Sequence, residues 1–530
     1  MKLTDSQRRA IEHCGTNLQL IACAGSGKTE VVARRVVHLL TPGRPDSLSP
    51  RNFVSFTFTD KAAAELKERI VTRTRQALGE IPGMAEMFVG TIHAFCLELL
   101  KSESPKHLKF EVLNEVQQGL FVDRNSRKSG LTTSADLKGA TLIRFRDTRH
   151  YVTALSILRE AERDDAQLNK CSLLDGLASY QGLLDEKSYL DYSSILEEAV
   201  TLLTNDDGVR ARLAERVKYV IVDEYQDVNP VQEAIVWSLH ELGARICVVG
   251  DDDQTIYQWR GSDVENMLTF DKRYPTVEQI PMEENFRSSE GVVETARAFI
   301  EQNTDRLTKA MKPTGAQPYE NGDIAAMWFA NPEDEARHIA ETIQSLRGVA
   351  FKENDVERGL SWSDMAILLR SVKGNAEPIT RAFQAAEIPF VVTGMTNLFG
   401  SAEAEAARTL FYFIADLPGI DAAALKAAWE TARLGVELLA LDHAIASATA
   451  AKAALTDPDQ KRWEQYSIQR MFLNFLDEAG VREELVSRDR GEVVFYNLGK
   501  FSQVISDFES IHYQSNPVEK YRSFSDFLSH

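Results

Sequence analysis

The chain has 530 residues, enough for three or four domains that each bury a core of their own. Hydrophobic residues make up 44% and charged residues 26%, an ordinary globular mixture that excludes a largely disordered, collagen-like or coiled-coil protein. The formal net charge of −19 repels polyanions, so any nucleic-acid site has to be local.

Cysteine usage and the N-terminus indicate the compartment. The five cysteines form no CxxC or Cys/His cluster, which argues against a disulfide framework and against a zinc site. The N-terminus is polar and lacks the apolar stretch of a signal peptide, and no run of 18 apolar residues occurs. We therefore predict a cytoplasmic protein with no membrane partner.

Short apolar strands followed by polar residues dominate the first half of the chain. Four such strands are predicted at 17–22, 53–58, 219–222 and 246–249. Helical periodicity follows the first two strands, at 28–40 and 60–70. This order predicts an α/β fold with a parallel sheet and a ligand site at the carboxyl edge of its strands.

The rest of the chain divides by composition. Residues 106–205 have helical periodicity and predict an inserted helical subdomain, whereas strand-like runs return more weakly at 325–330, 365–369 and 390–392. Beyond about 402 the chain is alanine- and leucine-rich and helical. The predicted domains are a first lobe (1–105 and 206–287), a helical insertion (106–205), a partial second lobe (288–400) and an incomplete second insertion (401–530).

The turn between the first strand and its helix carries the residue types of a phosphate-binding loop. Its glycines let backbone N–H groups surround a phosphate, the lysine reaches the β- and γ-phosphates, and the threonine holds Mg²⁺. The predicted nucleotide-binding residues are Ala22, Ala24, Gly25, Ser26, Gly27, Lys28 and Thr29. Ala22 replaces the first glycine of the usual pattern. An ordinary strand-to-helix turn is the less favoured interpretation.

Polar side chains also follow two later strands. Asp223 and Glu224 end one strand, and this pair suits Mg²⁺ binding by Asp223 and activation of a water molecule by Glu224. After the next strand, Gln254 is placed to sense a γ-phosphate, and Tyr257 and Trp259 offer ring faces on which unpaired bases stack. A solvated acidic loop and packed interdomain aromatics are the alternatives.

Taken in order, the motifs resemble those of UvrD/Rep/PcrA-type superfamily 1 DNA helicases. The matching segments are LTDSQRRAIEH, ACAGSGKT, FTFTDKAAAELKERI, GTIHAFCLELL, VDEYQDVNPVQ, VGDDDQTIYQWRG and EENFRSSEGV. The resemblance is strongest over residues 3–290 and weaker beyond. One difference is Glu30, where many relatives have arginine.

The resemblance implies a fold and site roles. It implies a RecA-like P-loop lobe with a helical insertion, followed by a partial second RecA-like lobe. Gln7 and Phe286 are expected to bind the adenine, and Arg287 is expected to contact the γ-phosphate beside Lys28, Asp223, Glu224 and Gln254. The residues expected to face DNA, or to link it to the nucleotide, are Phe58, Thr91, His93, Tyr257, Trp259 and Arg260. Lys61, Lys67 and Arg69 are candidates for phosphate contacts or for a solvated helix face.

The implied function is that of an ATP- and Mg²⁺-dependent DNA helicase or translocase of the DNA repair class. The implied substrate is single-stranded DNA or a single/double-strand junction, and the implied polarity is 3′ to 5′. A DNA-stimulated ATPase that remodels a complex and a nucleotide-gated interaction module are alternatives. A P-loop kinase is least favoured, because it needs no base-stacking rings. Two late family motifs are not found after Arg287, so we expect an N-terminal portion whose remainder lies in a longer chain or in a partner.

Overall fold

The computed structural model describes residues 3–44, 46–132, 143, 145–161, 172–258, 261–353, 356–372, 374–392, 401–456, 467–486, 491–512 and 516–529. The chain forms two compact units. Unit 1 consists of Met1–Asn114, Asn125–Leu142 and Asp147–Ala325. Unit 2 consists of Glu115–Arg124, Ile143–Arg146 and Ala326–His530.

Unit 1 is built on a sheet of six strands: β1 (Asn17–Ala22), β2 (Phe53–Phe56), β3 (Phe88–Gly90), β6 (Tyr219–Val222), β7 (Arg245–Gly250) and β8 (Val277–Met282). Their order is β3-β2-β6-β7-β1-β8, and every neighbouring pair is parallel. Two small parallel pairs join β4 (Glu111–Val112) to β5 (Tyr189–Leu190) and β9 (Glu284–Asn285) to β10 (Lys312–Pro313).

The central strands are buried on both faces, because side chains alternate across a strand and helices cover each side of the sheet. On β6, Val220 and Val222 enter one apolar cluster, whereas Tyr219 and Ile221 enter the other. The apolar runs in the sequence follow from this double burial. The predicted parallel α/β lobe is confirmed.

The helices of unit 1 cover both faces of this sheet and form most of the insertion between β3 and β6. They are α1 (Asp5–Glu12), α2 (Lys28–Leu40), α3 (Asp60–Leu78), α4 (Ile92–Glu103), Arg146–Glu160, Leu173–Lys187, Tyr192–Asn205, Asp207–Arg216, Pro230–Glu241, Glu265–Leu268, Phe270–Arg273 and Glu290–Ile300. Short 3₁₀ turns lie at Pro50–Asn52, Met84–Glu86, Pro105–Lys109, Tyr225–Asp227 and Asp252–Gln254. Helix α3 continues past the predicted end at 70 and stops at Gly79, whose φ is 77°.

Unit 2 is mainly helical. Its helices are Glu115–Arg124, Pro332–Leu346, Glu377–Ala385, Ala402–Ile414, Ala422–Ala432, Leu438–Thr456, Ile468–Glu478, Gly491–Ile511 and Pro517–Leu528. Strands β11 (Ala350–Glu353) and β12 (Val356–Gly359) form an antiparallel hairpin, and 3₁₀ turns lie at Trp362–Asp364 and Glu483–Leu485.

The strands predicted at 325–330, 365–369 and 390–392 are not formed as paired strands in the described part of unit 2. The segment 365–369 still shows the alternation of a strand: Ile367 and Leu369 pack in the small apolar cluster, whereas Leu368 is 93% exposed. Trp328, in the first of these segments, is 98% exposed. The sequence pattern is therefore that of a strand, but these segments have no hydrogen-bonded neighbour among the described residues.

One described helix, Leu438–Thr456, has the length and hydropathy that a membrane span needs. Its buried side chains include Leu441, Ala444 and Ala448. An apolar helix inside a helical domain has the same length and composition. It packs against the helices Ala422–Ala432 and Ile468–Glu478 of unit 2.

Candidate nucleotide and nucleic-acid site

The predicted phosphate loop lies between the buried end of β1 and the first turn of α2. Gly27 has a φ of 83° and caps α2 in the left-handed conformation, without a side-chain cap of its own. Gly25 has a φ of 68°, and a Cβ there would lie 2.7 Å from Asn285 Oδ1. Glycine is thus required at position 25 both by the backbone and by the neighbouring strand end. The loop offers the backbone N–H groups that bind anions.

Two polar side chains fix the loop from outside. Gln7 Nε2 donates a 3.0 Å hydrogen bond to the carbonyl of Ser26, and Asn285 Nδ2 donates one of 2.9 Å to the carbonyl of Ala24. Asn285 Oδ1 also accepts from the backbone N–H groups of Arg287 and Ser288, each at 2.8 Å. The structure therefore brings Gln7 and Arg287 to the loop.

Phe286 joins the same arrangement through its backbone, because its N–H donates a 3.0 Å hydrogen bond to the carbonyl of Gly25. Asn285 was missed by the sequence reasoning. Only its place before Phe286 and Arg287 marked it, and an asparagine alone carries little signal.

Of the two carboxylates after β6, Glu224 contacts the lysine of the loop. Lys28 Nζ lies 2.7 Å from Glu224 Oε2, and Gln226 Nε2 donates to the same oxygen at 2.9 Å. Gln226 Oε1 accepts the backbone N–H of Asp251 at 3.0 Å, and Asp251 Oδ2 accepts from Gln254 Nε2 at 2.6 Å. A continuous chain of contacts therefore runs from Lys28 to Gln254. Gln226 is a second residue that the sequence reasoning missed.

The acidic residues differ in their titration. Burial, with the nearby charge of Glu224, raises the pKa of Asp223 to about 6 and that of Asp227 to about 6. Burial alone would raise the pKa of Glu224 as well, but Lys28 and Gln226 outweigh it and lower that pKa. Glu224 is thus held ionised, as a residue that accepts a proton from water must be.

One observation fits a nucleotide at this site. Ser26 Oγ, in the loop itself, is buried and makes no hydrogen bond to any described residue, so a hydroxyl is left over for a phosphate oxygen. No three His, Cys, Asp or Glu side chains converge on one point in the described ranges. Thr29, in the first turn of α2, and Asp223 stay the predicted residues for Mg²⁺.

Three of the residues expected to face DNA, Phe58, His93 and Tyr257, lie in two ring pairs. Phe58, 37% exposed, stacks on Tyr257 with ring centroids 5.1 Å apart and planes inclined by 28°. His93 meets the exposed ring of Tyr192 edge to face at 5.6 Å, and burial lowers the pKa of His93 to about 4. His93 is therefore neutral at physiological pH and brings no cation to a phosphate. Tyr192 was not singled out from the sequence.

Thr91 has a structural task, since its hydroxyl accepts the N–H of Ala94 at 3.2 Å and caps α4. Trp259 and Arg260 lie outside the described residues. Their expected contacts with DNA stay predictions.

The sequence model of the UvrD/REP helicase N-terminal domain matches residues 3–275, and that of the UvrD-like helicase C-terminal domain matches residues 280–436. The chain belongs to the UvrD/REP helicase family. The family assignment made from the motif series is confirmed.

Several curated helicases of the family are similar to the chain. The ATP-dependent DNA helicase UvrD1 of Mycobacterium leprae is 29% identical over 458 residues, which cover 82% of this chain and 55% of the relative. The ATP-dependent DNA helicase PcrA of Staphylococcus aureus is 27% identical over 413 residues, covering 76% and 52%. The chain spans about half the length of the curated relatives it matches.

The C-terminal match corrects one expectation. The chain was expected to be an N-terminal portion that lacks the last two helicase motifs, but residues 280–436 match the C-terminal helicase domain of the family. The description as an N-terminal portion is therefore too narrow, since both helicase domains of the family are represented.

Proposed function

We propose that the chain is the ATP-driven motor of a DNA helicase or translocase that moves along single-stranded DNA. The observation that carries the proposal is the chain of contacts from Lys28 through Glu224, Gln226 and Asp251 to Gln254. It joins a phosphate loop to a carboxylate held ionised and to an amide on the next strand end. Phosphoryl transfer to water needs this combination of positioning and charge.

The hydrolytic roles follow from these contacts. Lys28 pairs with Glu224 at 2.7 Å, and phosphate oxygens in the loop would compete for the same ammonium group. Once Lys28 turns to the phosphates, Glu224 is free to accept a proton from the attacking water. Arg287 adds positive charge from the neighbouring segment, where it also contributes to the low pKa of Glu224. Mg²⁺, when bound at Thr29 and Asp223, supplies neutralisation of phosphate charge.

The adenine contacts are proposed on placement. Gln7 is buried beside the loop, with its Nε2 on Ser26 and its Oε1 accepting the N–H of Thr4 at 3.1 Å. Its amide is therefore held in one orientation, and these two contacts leave it one N–H and one oxygen lone pair for a base edge. Phe286 follows Asn285 directly and supplies a ring for stacking.

The grip on DNA is proposed for the rings near the nucleotide turn. Tyr257 lies three residues after Gln254, and Phe58 lies two residues after the end of β2. A change at the γ-phosphate that moves Gln254 would therefore also move a base-stacking ring. We propose single-stranded DNA or a strand junction as the partner, 3′ to 5′ polarity, a role in DNA repair and a cytoplasmic location.

The first experiment measures ATP hydrolysis by the 530-residue chain with and without oligo(dT). We expect DNA to stimulate turnover, and we expect Glu224→Gln and Lys28→Ala each to lower it by about 100-fold or more. Arg212→Met is the matched control, because Arg212 forms an exposed ion pair with Glu103 on the surface of the same unit. Turnover that survives both site substitutions would refute the assignment.

The same experiment separates the alternatives. Hydrolysis with DNA stimulation but no strand separation in a forked-duplex assay would favour a DNA-stimulated ATPase of a larger complex. Nucleotide binding without turnover would favour a nucleotide-gated interaction module.

A further inference from the structure

The turn that carries Gln254 is held by a buried lysine that lies outside the motifs. Lys309 has a side chain that is 1% exposed, and its Nζ lies 2.5 Å from Asp251 Oδ1 and 3.3 Å from Asp253 Oδ2. It also pairs with Asp252. One ammonium group therefore offsets three consecutive carboxylates immediately before Gln254, two of which are themselves buried. Such a buried pair holds its partners in one geometry, because a carboxylate that loses the cation stays buried without it.

The residues around Lys309 extend this contact in both directions. Arg306 forms a two-pronged pair with Asp253, at 2.9 and 2.6 Å, and the N–H of Leu307 donates to Asp252 at 2.8 Å. We call residues 306–314 the strap. Its first half is fixed entirely to the acidic turn.

The second half of the strap is fixed to the segment that immediately precedes Phe286 and Arg287. The N–H of Ala310 donates to Glu283 Oε1 at 2.9 Å, and Lys312 Nζ lies 2.6 Å from Glu283 Oε2. Strand β10 runs parallel to β9, with Pro313 opposite Asn285. Asn285 is the residue that binds the phosphate loop at Ala24.

We propose that the strap positions the Gln254 turn relative to the Asn285–Arg287 segment, with Lys309 and Arg306 as its positioning residues. This inference rests on the proposed function, in which Gln254 and Arg287 both contact the third phosphate of ATP. A rigid link makes the two contacts form together, so the site distinguishes a triphosphate from a diphosphate more sharply than either contact does alone.

The test measures how strongly the 530-residue chain prefers ATPγS to ADP in the presence of Mg²⁺. The measured ratio is the dissociation constant of ADP divided by that of ATPγS. We expect Arg306→Met and Lys309→Met each to lower this ratio by about tenfold, the worth of one hydrogen bond to a charged phosphate, with little change in ADP affinity. Arg306→Lys keeps the charge without the fork and should restore part of the ratio. Arg212→Met, a substitution in an exposed surface pair, should leave the ratio unchanged.

A double-mutant cycle separates positioning from general destabilisation. If the strap acts through Gln254, the double variant Arg306→Met with Gln254→Ala should have the same ratio as Gln254→Ala alone. A general loss of structure would lower the ratio of the double variant further. Should Lys309→Met fail to fold, Arg306→Met decides, because Arg306 lies nearer the surface with 17% of its side chain exposed.

The outcomes distinguish the strap from the proposed function. Absence of nucleotide binding, or binding that Lys28→Ala leaves unchanged, removes the proposed function itself. If nucleotide binding depends on Lys28, two results overturn the positioning role of the strap and leave the proposed function in place. One is that the unsubstituted chain does not prefer ATPγS to ADP. The other is that the folded strap variants keep the full preference.

Discussion

Asp227 offers a test of the electrostatics of the site, because its carboxylate is placed where it destabilises the nucleotide-free chain. The side chain is 8% exposed, and its Oδ1 makes no hydrogen bond to any described residue. Burial and the charge of Glu224 raise its pKa to about 6. We predict that Asp227→Asn stabilises the chain at pH 8 in the absence of nucleotide.

The sign and the size follow from linkage. The folded chain holds the proton of Asp227 more tightly than the unfolded chain, whose aspartates titrate near pH 3.8. The stability due to this group is therefore complete below pH 3.8 and is lost as the pH rises to about 6. A difference of about 2 pH units is worth about 3 kcal/mol. Asparagine resembles the protonated acid, so the gain should be about 2–3 kcal/mol at pH 8 and near zero at pH 4.

The assay is urea unfolding at pH 4 and pH 8 with EDTA and no nucleotide. Since the chain has two compact units, the relevant transition is the one that Mg²⁺ and ATPγS shift, because the proposed nucleotide site lies in unit 1. The matched control has the opposite sign. Burial alone would raise the pKa of Asp46, but Arg245, 3.1 Å away, outweighs it and lowers that pKa. Asp46→Asn should therefore destabilise the chain at pH 8.

A stability loss for Asp227→Asn that is equal at the two pH values would refute this reasoning. It would mean that Asp227 makes a hydrogen bond that asparagine cannot replace, and that its charge costs the folded state nothing.

Two further predictions concern DNA affinity and the core. Phe58→Ala should weaken oligo(dT) binding by about 1–3 kcal/mol through loss of a stacking ring, measured by fluorescence anisotropy; unchanged affinity would assign the ring to packing. Glu233→Ala should cost about 3–5 kcal/mol in urea unfolding, because Glu233 pairs with Arg273 at 2.6 Å and accepts from the buried hydroxyls of Tyr225 (2.6 Å) and Tyr274 (2.8 Å). The exposed-pair variant Glu103→Ala should cost under about 1 kcal/mol, and equal costs would contradict the argument.

The sequence predicts the centre of the first lobe well and its edges poorly. Strand β1 and helix α2 have the predicted bounds because an apolar run and a glycine turn limit them. Strand β8 was not predicted, since its sequence VEQIPM carries polar residues and a proline. It lies at the edge of the sheet, where one side needs no hydrogen-bonded partner and proline is tolerated. Strand β3, the other edge, has only three residues.

The candidate site shows a similar division. The residues proposed to act on a ligand directly, such as Lys28 and Glu224, stand in short motifs whose spacing can be recognised. Gln226, Asn285 and Lys309 act on other protein groups, and each has a partner that lies 25 to 261 residues away in the chain. No local spacing marks such contacts, so only the folded chain reveals them.

The basic residues of α3 show how the fold refines a charge argument. Arg69 and Arg73 approach Glu30 at 3.9 and 2.9 Å, so part of their charge is already neutralised beside the phosphate loop. Lys61 and Lys67 are exposed and make no ion pair with the described residues. DNA phosphates that bind Lys61 or Lys67 displace only counterions, whereas a phosphate that binds Arg69 has to compete with Glu30 for the guanidinium group. DNA on this face should therefore bind first at the start of α3, beside Phe58.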